Sequence, residues 1–153
     1  MAGGTLTHAL KTVSISADLP ATNDVAGFEA VGITWTEIGE ITTAAGWGRT
    51  NNEASYLPLK ERMQKRRKGS YDYAPLSIEA AVDSADAGQN LALTASASDS
   101  LYSVKMEYSN GDIKYAQCLI MGFDDDTGGG VDDFIMVTIT AQPVYDVVRK
   151  LAP

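Results

Sequence analysis

The sequence predicts a mainly β fold, an antiparallel two-sheet β-sandwich or barrel with one flanking α-helix and one long loop. Several short segments alternate polar and apolar residues with a period of two, and turn-forming residues separate them. Only one segment has the spacing of an amphipathic helix. A length of 153 residues and an apolar content of 44 % are typical of one folded domain, which we place over residues 1–153.

The alternating segments predict the strands in order. Residues 12–16 read Thr-Val-Ser-Ile-Ser, and residues 32–38 and 40–43 continue the alternation on the two sides of a glycine. The pattern resumes at 76–82 and ends with 134–142. Residues 20–27 carry proline, asparagine, aspartate and glycine and are predicted as a loop, and 143–153 as a C-terminal arm.

The helix is predicted over residues 86–98. Asp86 with Gln89 three positions later resembles a capping box, and Leu91, Ala92 and Ala95 form a short apolar face. The small residues of this segment favour close packing against the sheet.

A β-hairpin is predicted around Asn110-Gly111, the dipeptide most typical of a two-residue type I′ turn. That turn pairs Tyr108 with Ile113, Glu107 with Lys114 and Met106 with Tyr115. Apolar side chains then share one face and an opposite-charge pair lies on the other.

The basic residues are concentrated in one segment. Six of the twelve lie within residues 60–68, and outside that segment six basic side chains accompany nineteen acidic ones. The segment belongs to an irregular stretch, residues 46–73, which is predicted as an extended loop or hairpin. Three interpretations stay open: a solvated loop, a nucleic-acid patch, or a surface that docks on the acidic body of another copy.

The residues of catalytic and metal sites are scarce. The chain has one cysteine, Cys118, and one histidine, His8, which are too few for a Cys/His zinc site and unpromising for a nucleophilic one. The acidic segment 124–133 has Ile135 where an EF-hand loop beginning at Asp124 needs glutamate, so we predict a solvated turn. The sequence therefore predicts no enzyme, metal or cofactor. It also predicts no membrane span and no secretory signal.

Four segments in order resemble the tail tube (major tail) proteins of long-tailed bacteriophages. They are residues 19–28, 34–40, 68–71 and 83–92, the last containing Asp-Ala-Gly-Gln. Residues 129–133, Gly-Gly-Val-Asp-Asp before a β-rich strand, also resemble the family. The resemblance implies a structural virion protein that forms hexameric rings, which stack into the hollow tail tube that delivers DNA to the host.

The resemblance further implies partners and a location. The partners are other copies of the chain, a tape measure protein, a tail terminator and tail tip or baseplate proteins. Viral DNA passes through the lumen without specific binding. The protein would be made in the host bacterial cytoplasm and reside in the phage tail. Two alternatives remain: a type VI secretion-like tube protein, and a nucleic-acid-binding β-domain that uses the basic segment.

The resemblance places the long loop at contacts between subunits or rings. Its candidate contact residues are Trp47, Arg49, Lys60, Arg62, Lys65, Arg66, Arg67, Lys68 and Tyr71. Charged positions on alternating strands are the candidates for the lumen wall: Glu37, Glu40, Glu79, Lys105, Glu107 and Lys114.

Overall fold

The computed structural model describes residues 5–152, so Met1 to Gly4 and Pro153, the ends of the predicted domain, lie outside the described residues. Within that range the chain forms ten β-strands and two α-helices. The strands are β1 (Thr12–Ser16), β2 (Thr36–Glu37), β3 (Ile41–Ala45), β4 (Arg49–Tyr56), β5 (Lys65–Tyr73), β6 (Leu76–Ala81), β7 (Tyr102–Glu107), β8 (Ile113–Asp125), β9 (Met136–Pro143) and β10 (Val148–Lys150). The helices are α1 (Val25–Phe28) and α2 (Ala87–Ser96). Neither helix is long and apolar enough to cross a membrane.

The predicted fold class, mainly β and antiparallel with a flanking helix, is confirmed. Seven strands form one path in the order β2–β1–β7–β8–β9–β6–β3, and β10 adds to β8. Strands β4 and β5 form a separate two-stranded sheet. The thirteen-residue β8 connects the two halves of the main sheet, because its first part pairs with β7 and its second part with β9.

One core lies between the two halves of the sheet and α2. Val13 and Val104 come from one half, Ile78 and Ile139 from the other, and Ala92 from the helix, and each is at most 1 % exposed. The apolar residues of the alternating segments that predicted the strands thus form the buried face of each half.

The predicted helix is confirmed, with α2 two residues shorter than expected at its C-terminal end and one at its N-terminal end. Asp86 is the N-cap, and its side chain accepts a hydrogen bond from the Gln89 amide at 2.9 Å. The Gln89 side chain does not complete a capping box. It is buried and donates to the carbonyls of Gly39 and Ala81, which ties the helix to the segment between β2 and β3 and to the end of β6.

Gly88 allows α2 to approach the sheet. A Cβ atom there would lie 2.2 Å from the Glu37 carbonyl oxygen and 2.7 Å from Ile38 Cα, both of them backbone atoms. We therefore expect Gly88→Ala to lower the free energy of unfolding by about 2 kcal/mol, despite the better helix propensity of alanine. Chemical denaturation measures this, with Gly32→Ala as the control because Gly32 has open space around it. Equal midpoints for the two variants would contradict the packing argument.

The predicted strand at 32–38 is wrong in extent, since only Thr36–Glu37 is a strand. The preceding residues instead cover the outer face of β7 and β8, where the Trp35 ring lies 6.0 Å from that of Tyr115. The predicted loop at 20–27 likewise contains part of α1, because Asp24 caps it by accepting from the Gly27 amide at 2.7 Å. Phe28 of this helix is fully buried and stacks on Tyr115 at 5.0 Å.

Tyr115 is buried under this cover, and that burial, followed by the charge of Glu29, raises the pKa of its hydroxyl to about 12. Since the folded-state pKa lies above the unfolded one near 10, the stabilising contribution is complete below pH 10 and is lost as the pH rises toward 12. We expect the free energy of unfolding to fall by about 2 kcal/mol over that window. Denaturation of Tyr115→Phe at several pH values checks this, because the variant should lack that part of the decrease. An identical alkaline decrease in both proteins would contradict it.

The predicted hairpin forms, but its register is wrong by one residue. Met106 lies opposite Lys114 and Lys105 opposite Tyr115, and the Tyr108 amide donates to the Asp112 carbonyl at 2.8 Å. The loop therefore has three residues. A type I′ turn needs a positive φ at both of its central residues. Gly111 has one, at 95°, but Asn110 does not. The register follows from a three-residue loop with glycine at its left-handed position.

The C-terminal segment lies against its own domain. Arg149 of β10 faces Lys114 of β8, and the Ala152 amide donates to Asp112 at 2.8 Å. This hydrogen bond lowers the pKa of the Asp112 carboxyl below its usual value, and a hydrogen bond with Asn110 adds a smaller effect in the same direction.

Candidate assembly surfaces

Residues 46–73 form a two-stranded hairpin, which we call the arm. Strands β4 and β5 pair along their whole length, from Arg49 opposite Tyr73 to Tyr56 opposite Lys65, with a register shift after Asn51. Nearly every side chain is exposed, so the pairing is held by backbone hydrogen bonds and not by a core. The arm is therefore available to contact another molecule.

The arm continues the β3–β6 ribbon past the end of the main sheet. The Trp47 amide donates to the Ala74 carbonyl at 3.1 Å, and the Ala74 amide donates to that of Gly48 at 2.9 Å. These bonds carry the ladder from the body into the arm. A Cβ atom on Gly46, which has a φ of 149°, would meet the Pro75 carbonyl oxygen at 2.3 Å. This junction therefore requires glycine.

Trp47 anchors the base of the arm inside its own subunit. It is 3 % exposed, belongs to the core cluster and has a φ of 63°. Its indole nitrogen is buried without a hydrogen-bond partner among the described residues. Of the candidate contact residues, Trp47 is thus placed in the core and not on an exposed surface.

Arg49 and Tyr71 also lie at the base of the arm. The Arg49 guanidinium stacks 3.7 Å from the centre of the Tyr71 ring, and the Tyr71 hydroxyl donates to Asp146 at 2.8 Å. That hydrogen bond, with the charge of Asp146, raises the pKa of Tyr71. Gln142 adds a bond to the Tyr73 carbonyl at 3.0 Å. Sequence reasoning missed Asp146 and Gln142, and no local pattern marks residues some seventy positions distant in sequence.

The basic side chains are grouped on the outer part of the arm. Lys65 pairs with Glu61 at 3.0 Å and Arg66 with Glu53 at 3.3 Å, both on the exposed surface. Within the described chain the other four basic residues of this group have no ion-pair partner: Lys60, Arg62, Arg67 and Lys68. The tip also exposes apolar side chains: Tyr56, Leu57, Leu59 and Met63. The outer arm is both basic and apolar.

The second half of the main sheet has two edges that are not paired in the described chain. Its four strands lie in the order β8–β9–β6–β3, where β3 pairs only with β6, and β8 pairs only with β9 beyond Cys118. All neighbours are antiparallel, so β3 and β8 run in opposite directions. An edge of this kind can accept a strand from another chain.

The free edge of β3 is lined by His8 and Lys11. The Lys11 ammonium donates to the Ala44 carbonyl and, at 3.2 Å, to the His8 ring. Burial, and then the charge of Lys114, lowers the pKa of Lys11. A lysine at an edge strand is a common guard against uncontrolled strand pairing. Sequence reasoning did not single out Lys11.

The outer face of this four-stranded half is polar. Thr43, Glu79, Thr138 and Asp124 lie in register across the four strands, opposite the buried Ala44, Ile78 and Ile139. Among the described residues this face also carries Ser77, Thr140 and Gln142 and two apolar side chains, Leu119 and Met136, and lysine and arginine are absent from it. It is a largely polar, weakly acidic surface.

The six candidate lumen residues do not share a face. Glu79 lies on the polar outer face of the four-stranded half, and Glu40 precedes β3 at one end of it. Glu37, Lys105 and Glu107 lie on the other half of the sheet. Lys114 faces Met106, 5.9 Å from the Tyr108 ring, on the side of that half that faces the core.

Cys118 and His8 lie in different parts of the fold and do not form a common site. Cys118 is fully buried, which raises the pKa of its thiol, and His8 lies at the β3 edge. Among residues 5–152 there is no group of three or more metal-ligating side chains arranged to hold an ion.

The fold is that of chains from tail-like particles. A chain in the sheath/tube terminator of an extracellular contractile injection system, PVC, superposes with a TM-score of 0.72 and 8 % identity, covering 99 % of this chain and 100 % of that one. A chain of the PVC sheath-tube complex gives 0.71 and 8 %, covering 97 % and 93 %. A chain from the tail of an empty GTA particle with C6 symmetry gives 0.64 and 12 %, covering 91 % and 96 %.

No protein-family model and no curated protein matches the sequence. The solved structures described above nevertheless confirm the resemblance to tail tube proteins at the level of the fold.

Proposed function

We propose that this protein is the repeating subunit of a phage-type tail tube, in which rings of six copies stack into a hollow cylinder. The observation that supports this most directly is the four-stranded half of the sheet with an unpaired strand at each side. If β3 of one copy pairs with the free part of β8 in the next, the pairing is antiparallel, like every other pair in the sheet. Repetition around an axis closes a continuous barrel without edges.

The number of copies is supported by the structural relatives. The GTA tail whose chain shares this fold has C6 symmetry. Six copies of this chain would carry a formal charge six times the −8 of one subunit, so assembly needs local pairing of opposite charges. The basic arm supplies it.

The polar outer face is our proposed lumen wall. It includes Glu79 and Asp124, surrounded by threonine and serine side chains. A weakly acidic wall repels phosphate groups, so DNA would slide through the lumen without specific binding. The remaining candidates, including Lys105 and Glu107, would face other parts of the particle.

A tube subunit works with other tail components. We infer a tape measure protein inside the forming tube, a terminator at one end and tip or baseplate proteins at the other. The subunit would be made in the host bacterial cytoplasm and would reside in the tail of the virion.

Sedimentation velocity and negative-stain electron microscopy of the purified chain, over a range of concentrations, test the proposal. Hollow rings or tubes with sixfold end views and a bore wide enough for duplex DNA are expected. A monomer at every concentration that binds duplex DNA with a steep salt dependence would contradict it, and would favour a nucleic-acid-binding module that uses the arm.

A further inference from the structure

The two ends of the four-stranded half carry opposite charges. The arm leaves the body where β3 ends and β6 begins, beside the C-terminal end of β9. The turn between β8 and β9 lies at the other end, beside the end of β6. The eight residues of β9 separate the two ends by about 25 Å, at roughly 3.3 Å per residue.

The acidic end combines charge with exposed apolar side chains. Residues 124–133 contain five aspartates and no basic residue. Val131, Phe134 and Ile135 in and after this turn are 102 %, 83 % and 58 % exposed. We call residues 124–135 the acidic turn. Three large apolar side chains exposed within five residues of one turn indicate a surface that another molecule covers.

The outer arm has the complementary properties. It carries six basic residues against the two glutamates that pair with it, and it exposes Leu59 and Met63 fully or nearly so, at 105 % and 80 %. The arm and the acidic turn of one chain lie at opposite ends of the body, so a contact between these two surfaces requires a second copy.

We propose that the acidic turn is the docking site for the arm of a second copy. This inference rests on the proposed tube function and adds the acceptor surface. Basic side chains of the arm pair with the aspartates, and the apolar tip covers Phe134 and its neighbours. A contact between opposite ends is heterologous, so it repeats head to tail and stacks one ring on the next. It also fixes the polarity of the stack, because two arms or two acidic turns repel each other.

Two complementary variants test the docking site. The arm variant carries Arg66→Glu, Arg67→Glu and Lys68→Glu, and the turn variant carries Asp124→Lys, Asp125→Lys and Asp132→Lys, which make the turn net positive and replace aspartates whose side chains make no hydrogen bond within the described residues. Each variant alone should pellet roughly tenfold less protein than the wild type, since like charges then meet at the contact. An equimolar mixture should recover assembly, because each arm finds an oppositely charged turn only on the other variant. Glu37→Lys, which changes an exposed acidic residue on β2 in the other half of the sheet, is the control and should assemble normally.

Carbodiimide cross-linking of the wild type, in a mixture of isotopically light and heavy chains, locates the contact independently of tube formation. Cross-links between chains should join Lys60, Lys65 or Lys68 to the aspartates of the acidic turn. Tubes whose cross-links join the arm to other surfaces, or a turn variant that assembles like the wild type, would overturn the docking site and leave the tube function intact. Arm-to-turn cross-links in small oligomers that never form tubes would support the contact and contradict the tube function. The absence of any cross-link between chains at high concentration would overturn both.

Discussion

Reversing three charges on the arm, with Arg66→Glu, Arg67→Glu and Lys68→Glu, is expected to lower the amount of assembled protein roughly tenfold and leave mostly folded monomer. These side chains extend from an exposed strand, and of the three only Arg66 forms an ion pair in the described chain, with the exposed Glu53. Exposed pairs of this kind contribute at most about 1 kcal/mol, so the fold should persist. At the contact between copies, however, three attractions become repulsions.

Sedimentation and electron microscopy measure this outcome, and circular dichroism verifies the fold. The matched control is Arg66→Lys, Arg67→Lys and Lys68→Arg, which keeps every charge and should form normal tubes. Normal tubes from the glutamate variant would refute the role of the arm.

Removing one backbone donor from the free edge of β3, with Ala44→Pro, is expected to prevent ring closure. The Ala44 carbonyl points to the free edge, where Lys11 binds it, and in an antiparallel ladder the amide of the same residue points to the same side. Proline removes that amide hydrogen and places its ring in the path of an incoming strand, while the ladder with β6 is retained. The subunit should remain folded and stay monomeric.

Ala44→Val is the control, because it enlarges the same buried side chain and keeps the amide hydrogen. Both variants should lose about 1–3 kcal/mol of stability through overpacking, and only the proline should lose assembly. Analytical ultracentrifugation separates the two results. Equal assembly by both variants would show that the β3 edge is not an interface between subunits.

Local patterns predicted the parts of the fold that depend on local chemistry. The Asp86 cap fixes the start of α2, and the alternation of residues 12–16 and 76–82 follows the buried face of the sheet. The register of the β7–β8 hairpin was not predictable in this way, because Asn-Gly serves both two-residue and three-residue loops. In the three-residue loop that the structure has, the Asp112 carboxylate accepts a hydrogen bond from the Ala152 amide. This contact joins residues forty positions apart, so no local pattern indicates it.

The candidate assembly surfaces also combine a part that local sequence predicted with parts that depend on distant contacts. The density of basic residues identified the exposed arm directly from the sequence. The residues that position the arm are scattered along the chain: Trp47 packs into the core, and Asp146 and Gln142 hold its base from the far end of the chain. The polar outer face also required the structure, since the strand pairing decides which charged residues lie together. Sequence alternation alone grouped Glu79 with Lys105 and Lys114, which lie elsewhere on the sheet.

Cryo-electron microscopy of the assembled particle, at a resolution that separates β-strands, tests the central claim most directly. The proposal predicts rings in which β3 of each copy pairs with β8 of the next, with Glu79 and Thr138 facing the bore. Rings joined through other surfaces, with the β3 edge open to solvent, would contradict it.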